Sequence, residues 1–414
     1  MDFSVIARRV KEDSYHMATT SETLRNQALA SIATSLAQNK NLIFAANAKD
    51  LERASKDNLP GPIVARLKFN EAKLDDTLSG IRDLIGLSDP LFRTLLKREL
   101  DEGLLLEKVT CPIGVIGVIF ESRPDALIQI STLCIKSGNC AILKGGSEAS
   151  ETNRALFEMI FEAGRKAGLP EGFVTLVESR GEIQEMLKCH ESIDLIIPRG
   201  SNEFVQYIMA NSKIPVMGHA DGICHVYVDQ AADVEKAAAI IVDSKTQYVA
   251  ACNAVETVLI HKDAPQDLLV RIQRRSSIPI ECRPAESDLD YKEYLDYILT
   301  IKTVRSLEEA ISHINRYGSH HTDCIVTEDS DAAETFMNLV DSAGVYHNCS
   351  TRFADGYRYG FGAEVGISTG KLHARGPVGL EGLITYKYKL HGNGQIVSDY
   401  VSGQRNFHFK EIIG

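Results

Sequence analysis

The sequence predicts an α/β protein built on two parallel sheets, and three observations carry that prediction. Short apolar, β-branched runs alternate with helix-period segments from about residue 115 to residue 228. A second series of the same kind follows from about residue 230. The two ends of the chain read differently, helical before residue 90 and strand-like after residue 384. Regular alternation implies parallel strands, because the crossover between two parallel strands needs a helix to make it.

Taken in order, Leu24, Leu29, Ile32 and Leu36 stand at near-helical spacing, and Thr19-x-x-Glu22 reads as a capping box at the start of that helix. ANAKDLERA (46–54) reads as another helix, closed by Pro60-Gly61-Pro62. Strands follow at 115–120 (VIGVIF), 140–144 (CAILK), 173–177 (FVTLV), 194–198 (DLIIP) and 224–228 (CHVYV). Between them lie the helical segments PDALIQISTLCIKSG, ending on Gly138 as its left-handed stop, ETNRALFEMIFEAGRKAG, GEIQEMLKC and NEFVQYIMANS. The second series has helical ADVEKAAAIIVDS, SLEEAISHINRYG and SDAAETFMNLVDS, with strands VETVLIH, DCIVTED and AGVYHN. The final LITYKYKLHGNGQIVSDYV shows two alternating patterns around His391-Gly392-Asn393-Gly394, which predicts a hairpin whose apolar face needs a partner such as another subunit.

Composition excludes several functions. Forty-five Lys and Arg against 56 Asp and Glu give a formal net charge of -11, the wrong sign for a protein that tracks a nucleic-acid backbone. The opening MDFSVIARRVKEDSYH mixes charges through its apolar residues and has no export signal, and CPIGVIGVIFES is too short to span a bilayer, so a cytoplasmic protein without a membrane partner is expected. The nine cysteines are odd in number and scattered, and none forms a CxxC pair, which argues against a disulfide framework or a metal site.

Chemistry is sought at the turns. Lys144-Gly145-Gly146-Ser147 and Arg199-Gly200-Ser201 each follow a strand and precede a helix, where backbone N–H groups meet phosphates, although glycines that merely form the turn explain the pattern equally well. Arg123, between a strand and a helix that starts with Pro124, reaches a ligand or pairs with a carboxylate, and the sequence favours the ion pair. Cys134, Cys140, Cys224 and Cys324 sit inside apolar runs and read as core. Cys252, between Ala250-Ala251 and Asn253-Ala254, and Cys349, in YHNCSTR, sit at strand ends, and the residues alone do not choose between them as a nucleophile.

The ordered motifs IFESRPDA, AILKGGSEA, DLIIPRGSNE, GHADGICHVYVD, AACNAVETVLIH, DGYRYGFGAEVGIST and HARGPVGLEGLITYKY resemble the gamma-glutamyl phosphate reductase family, the glutamate-5-semialdehyde dehydrogenases of proline biosynthesis, within the aldehyde dehydrogenase superfamily. The likeness runs nearly the whole chain. It implies an aldehyde dehydrogenase-like fold of two Rossmann-like parallel-sheet domains plus an oligomerisation hairpin. The expected domains are 1–228, a helical layer with an NADP-binding domain; 229–384, a catalytic domain with Cys252; and 385–414, a hairpin pairing with part of 100–115. The implied reaction is NADPH-dependent reduction of L-glutamyl 5-phosphate to L-glutamate 5-semialdehyde through a Cys252 thioester, with Ser122 as an oxyanion donor beside the Cys252 N–H. Cofactor contacts fall to Lys144, Gly145, Gly146, Ser147, Gly200 and Ser201, and substrate contacts to Arg123, Asn348, Ser350, Thr351 and Arg352.

The resemblance also bears on direction and cofactor. The Glu-Leu-Gly-Gly motif of the hydrolytic enzymes is replaced by GHADGICHVYVD, so the thioester awaits hydride rather than water; Asp221 is the substitute base that an oxidative enzyme making a free acid would need. Ser147 stands three residues after Lys144, where an acid would repel a 2′-phosphate, which favours NADPH. Val249 stands where the family commonly has proline. An inactive cofactor-binding scaffold of the same fold is the reading from another class. The expected partners are further copies in a dimer or tetramer and a separate glutamate 5-kinase in transient contact.

Overall fold

The computed structural model describes residues 2–178, 181–218 and 221–412. His219 and Ala220 of the GHADG motif lie outside the described residues. The chain forms two compact units, one of Met1–Arg199, Asn211–Val216 and Gly379–Gly414, the other of Gly200–Ala210 and Met217–Val378.

Helices Phe3–Met17, Glu22–Gln38, Lys40–Lys56, Gly61–Leu67 and Glu71–Gly86 open the first unit. The helix from Glu22 is capped by Ser21, whose hydroxyl accepts from Leu24 N at 3.2 Å. Thr19 lies just beyond the preceding helix, where its hydroxyl donates to His16 O, so Ser21 rather than the expected Thr19 is the N-cap.

The parallel sheet of this unit has the order Val174–Val177, Cys140–Gly145, Val115–Phe120, Leu195–Arg199. Every residue of Val115–Phe120 and Cys140–Gly145 is buried, as two-sided helix cover requires of interior parallel strands. The crossover helix Pro124–Lys136 starts with proline in its first turn and stops at Gly138, where φ is +70°. A Cβ at Gly138 would lie 2.7 Å from Leu91 Cδ1, so both backbone and packing demand glycine there.

A second sheet in this unit has the order Ile384–His391, Leu104–Pro112, Thr94–Asp101, Lys410–Glu411, antiparallel throughout. The terminal segment is therefore no hairpin. Only its first half is a strand, running from Ile384 opposite Pro112 to His391 opposite Leu105. Its second half holds the short helix Val397–Val401. Gln395 donates to Glu102 O at 3.1 Å and Tyr400 donates to Asp101 Oδ2 at 2.9 Å, which steers the chain across the turn at residues 101–104 instead of back along its own strand.

The second unit is built on six parallel strands in the order Gly344–His347, Thr322–Val326, Cys224–Val228, Val255–His261, Ile298–Val304, Glu281–Pro284. Successive side chains alternate between faces. Val226, Val228, Val258 and Leu299 pack on one side with Ala237 and Ile241 of the helix Val234–Thr246 and with Ile272 of Leu268–Arg275. Tyr227, Leu259 and Ile325 pack on the other with Ile314 of Leu307–Tyr317 and Phe336 of Ser330–Leu339.

The boundary expected at 228 thus falls one strand late: Cys224–Val228 lies between Thr322–Val326 and Val255–His261, inside the second unit's sheet. Among the described residues, no helix is long and apolar enough to cross a membrane.

Candidate active site

Burial sorts the nine thiols. Cys134, Cys140, Cys224 and Cys324 are buried, and loss of solvent pushes their thiols up, Cys134 and Cys324 to about 12. Cys349 is partly exposed, burial still pushes its thiol up, and its carbonyl accepts from Cys324 Sγ at 3.1 Å. Cys252 is also partly exposed, and its Sγ lies 3.2 Å from His321 Nε2.

The loop that presents Cys252 is clamped on several sides. A Cβ at Gly222 would lie 2.1 Å from Cys252 O and 2.5 Å from its Cα, so Gly222 passes against this backbone as only glycine can. Cys224 Sγ donates to Cys252 O at 3.4 Å, Asn253 Nδ2 donates to Ala354 O at 2.8 Å, and Thr351 Oγ1 donates to Asn253 O at 2.6 Å. These bonds tether the loop that follows Val249. The Cys252 N–H has no acceptor among the described residues. Asp221 accepts from Asn202 Nδ2, whose amide also donates to Glu293 Oε2 at 3.0 Å.

The thiol stands at the amino edge of the parallel sheet. Gly222, Cys252 and His321 each precede a strand, Cys224–Val228, Val255–His261 and Thr322–Val326 in turn. The carboxyl-edge rule for open α/β sheets therefore does not locate this thiol. His321 carries no motif of its own, and only the strand order reveals that it and Cys252 share an edge.

Segment 348–352 divides by role. Asn348 accepts from Thr327 N and donates to Thr327 O, Ser350 Oγ lies 3.1 Å from Ser244 Oγ, and Thr351 holds Asn253, so these three side chains brace the loop. Arg352 is buried and its Nε donates to Gln247 Oε1 at 2.9 Å. Its guanidinium lies within electrostatic reach of Cys252, while burial, the larger influence, pulls its pKa down.

In the first unit, Lys144 and its glycines end the strand Cys140–Gly145, at the carboxyl edge. Lys144 is buried, its Nζ donates to Gly145 O at 2.7 Å, and burial pulls its ammonium down against Glu182, Glu148 and Glu178. The following helix, Ser150–Ala167, does not offer its N-terminus to a phosphate: Asp50 Oδ2 accepts from Thr152 N at 2.8 Å and Oδ1 from Glu151 N at 3.3 Å. Arg53, which the sequence reading passed over, donates from Nη2 to Ser147 O at 3.0 Å and Glu148 O at 3.2 Å.

Ser122 donates its hydroxyl and its N–H to Glu148 Oε1 at 2.8 and 2.6 Å, so the Ser122 side chain expected as an oxyanion donor is engaged. Its φ of +49° is the backbone conformation that turns them that way. Arg123 is exposed and forms no ion pair among the described residues, contrary to the pairing the sequence favours. Gly200 and Ser201 belong to the second unit, where Ser201 O accepts from Val205 N at the start of the helix Asn202–Asn211.

A partly exposed thiol at the edge of a parallel sheet, in a chain with a second parallel-sheet unit, defines the class. The aldehyde dehydrogenase family profile matches residues 5–290, and the chain belongs to that family. Gamma-glutamyl phosphate reductase of Pelotomaculum thermopropionicum is 57% identical over 426 residues, spanning 100% of this chain and 98% of its own. The crystal structure of gamma-glutamyl phosphate reductase from Thermotoga maritima superimposes with a TM-score of 0.92 at 36% identity, covering 96% of this chain and 100% of that one. Within the family, the chain takes its place among the gamma-glutamyl phosphate reductases. An acetylating aldehyde dehydrogenase from Geobacillus thermoglucosidasius, 16% identical with a TM-score of 0.69 over 95% of this chain and 97% of its own, shares the fold.

Proposed function

We propose that the protein reduces L-glutamyl 5-phosphate to L-glutamate 5-semialdehyde with NADPH and releases phosphate, the second step of proline biosynthesis from glutamate. The observation that carries this reading is likeness along the full length to gamma-glutamyl phosphate reductases, with Cys252 held in a tethered loop. Cys252 Sγ attacks the acyl carbonyl, the C–O bond to phosphate breaks, and a thioester remains. The Cys252 N–H faces the oxygen that gains charge. Arg352, oriented by Gln247, recognises an anionic group of the substrate.

The turn after Cys140–Gly145 fits the adenosine end of NADPH by its donor set. Lys144 and Arg53 are its cations, and Glu148, one of three carboxylates that act on Lys144, is turned onto Ser122. A 2′-phosphate there meets cations rather than a bare acid, and the nicotinamide, when bound, supplies the hydride that reduces the thioester. Gly145, Gly146 and Ser147 shape this turn, and Gly200 and Ser201 belong to a second one.

The protein acts as a homo-oligomer, a dimer or tetramer, in the cytoplasm, and takes its acyl phosphate from a glutamate 5-kinase. The test is NADP reduction with glutamate 5-semialdehyde, with and without phosphate, in wild type and Cys252→Ala. Phosphate-dependent turnover lost in the variant supports the reading. Equal oxidation in phosphate-free buffer points to an enzyme that makes the free acid, and cofactor binding without turnover points to a scaffold.

A further inference from the structure

Sixty-nine positions separate His321 from Cys252, and the sheet brings them together. The strands they precede, Thr322–Val326 and Val255–His261, flank Cys224–Val228 and run parallel, so the residues that lead into them gather at one edge. His321 is 1% exposed. Its Nε2 lies 3.2 Å from Cys252 Sγ and its Nδ1 2.9 Å from Thr322 Oγ1. A neutral imidazole has one donor and one acceptor nitrogen. With Nδ1–H given to the Thr322 hydroxyl, Nε2 turns its lone pair on the thiol.

We propose that His321 is a catalytic residue, the group that accepts the Cys252 thiol proton and later returns one to the sulfur. The identity of the acyl substrate rests on the reductase reading above, whereas the proton transfer rests on the imidazole–thiol contact. As the S–C bond forms, the Sγ proton passes to Nε2. The C–O bond to phosphate breaks, phosphate leaves with that electron pair, and the proton on Nε2 goes to the departing oxygen, so imidazole is neutral again and hydrogen phosphate is released. After hydride reaches the thioester carbon, the C–S bond breaks as the aldehyde C=O forms, and thiolate departs with its electron pair. One proton from solvent, taken through Nε2, restores the thiol. The sum consumes one acyl phosphate, one hydride and one proton, and gives one aldehyde and one phosphate.

Other charged groups act on the same thiol and must be separated from the imidazole. Arg352 is within electrostatic reach of Cys252, and Cys224, on the intervening strand, is within reach of Cys252, Asp323 and Glu256. None of these sits at hydrogen-bond distance from Sγ among the described residues. They set a background field that substitution of His321 leaves in place.

The experiment alkylates the full-length protein with iodoacetamide and follows Cys252 by peptide mass in wild type, His321→Gln and Thr322→Val. Because the thiolate is the nucleophile, removing its base should slow alkylation about tenfold near neutral pH, with the deficit closing as pH rises through the ordinary thiol range. Thr322→Val should shift the profile the same way by a smaller factor, since it removes only the group that fixes the tautomer. In turnover, His321→Gln should lower kcat by about 10²–10⁴ with KM little changed. Alkylation profiles that superimpose on wild type, or a slowing by one constant factor at every pH, overturn the proposal. If His321→Gln does not fold, Thr322→Val decides by the same criterion. Alkylation needs no acyl phosphate and no NADPH, so a wild type without phosphate-dependent turnover defeats the reductase reading and leaves this result standing.

Discussion

At the scale of single residues, the proposed site is tested at a glycine and an arginine as well as at the thiol. A methyl group at Gly222 would meet the Cys252 backbone at 2.1 Å, and because the obstructing atoms are main chain, no rotamer change relieves it. Gly222→Ala should therefore push the nucleophile loop out of place, costing about 1–3 kcal/mol of stability and at least about 100-fold in kcat. Melting temperature and steady-state kinetics check it, and a variant with wild-type kcat would show that the loop tolerates the shift. Arg352→Ala should raise KM for glutamate 5-semialdehyde by about tenfold or more, the loss expected of one charge-assisted contact. Unchanged KM and kcat would remove Arg352 from the substrate site. The ordered motifs single out Cys252, whereas Arg352 is expected only from its residue type and its position after AGVYHN. The sequence reading placed Ser122 as a donor because local sequence does not show that Glu148 claims its hydroxyl. It passed over His321 for the same reason, since a contact across 69 positions exists only once strand order is known.

At the scale of elements, strands bounded by clear turn signals were legible to the residue, as at 115–120, 224–228 and 255–261. Ile298–Val304 went unread although it is β-branched, because Thr300 and Thr303 interrupt its apolar run and Tyr294 and Thr300 spend their hydroxyls on one another. The strands Thr94–Asp101 and Leu104–Pro112 are mixed with charge because their sheet is partly exposed. Helix and strand also meet in an ion pair that composition hides. Lys245, in the helix Val234–Thr246, donates to Glu256 of Val255–His261 at 2.7 Å with both side chains 0% exposed. Burial outweighs Lys245 and raises the Glu256 carboxyl from 4.5 to about 7. A carboxyl whose folded pKa lies above its unfolded one stabilises the fold below the unfolded value and loses that contribution as pH rises through the folded value. Stability relative to Glu256→Gln should therefore decline between about pH 4.5 and about pH 7, by on the order of 1–3 kcal/mol. Denaturant midpoints of the two proteins across that window check it, and parallel curves would show that Glu256 titrates alike in both states.

At the scale of the whole molecule, the terminal segment holds a single strand where the sequence suggests a hairpin, and the homo-oligomer proposed above is tested on that strand. Ile384–His391 is the end strand of its antiparallel sheet, and Tyr386, Tyr388 and Leu390 on it are all exposed, Tyr388 by 60%. An exposed apolar end strand is a template for pairing with another chain. Lys387 and Lys389 alternate with the apolar residues and reach over Phe92, with Nζ 5.9 and 5.4 Å from its ring centre, so the strand carries cations on the face opposite its aromatics. Such a strand suits pairing with its own copy about a two-fold axis, where the same patch is used on both sides. Tyr388→Glu places a carboxylate in that patch twice per contact and should reduce the particle to one chain of 45.6 kDa by light scattering, with the circular dichroism of the wild type retained. A wild type already at that mass would remove oligomerisation from the account. A variant that keeps the wild-type mass would move the contact to another surface, the stacked Phe407 and Phe409 near the chain end being the next to substitute. Turnover measured on the separated single chain then tells whether the assembled state is needed for chemistry or only for stability: the tethers of the Cys252 loop all lie within one unit, which predicts that kcat survives dissociation within about threefold.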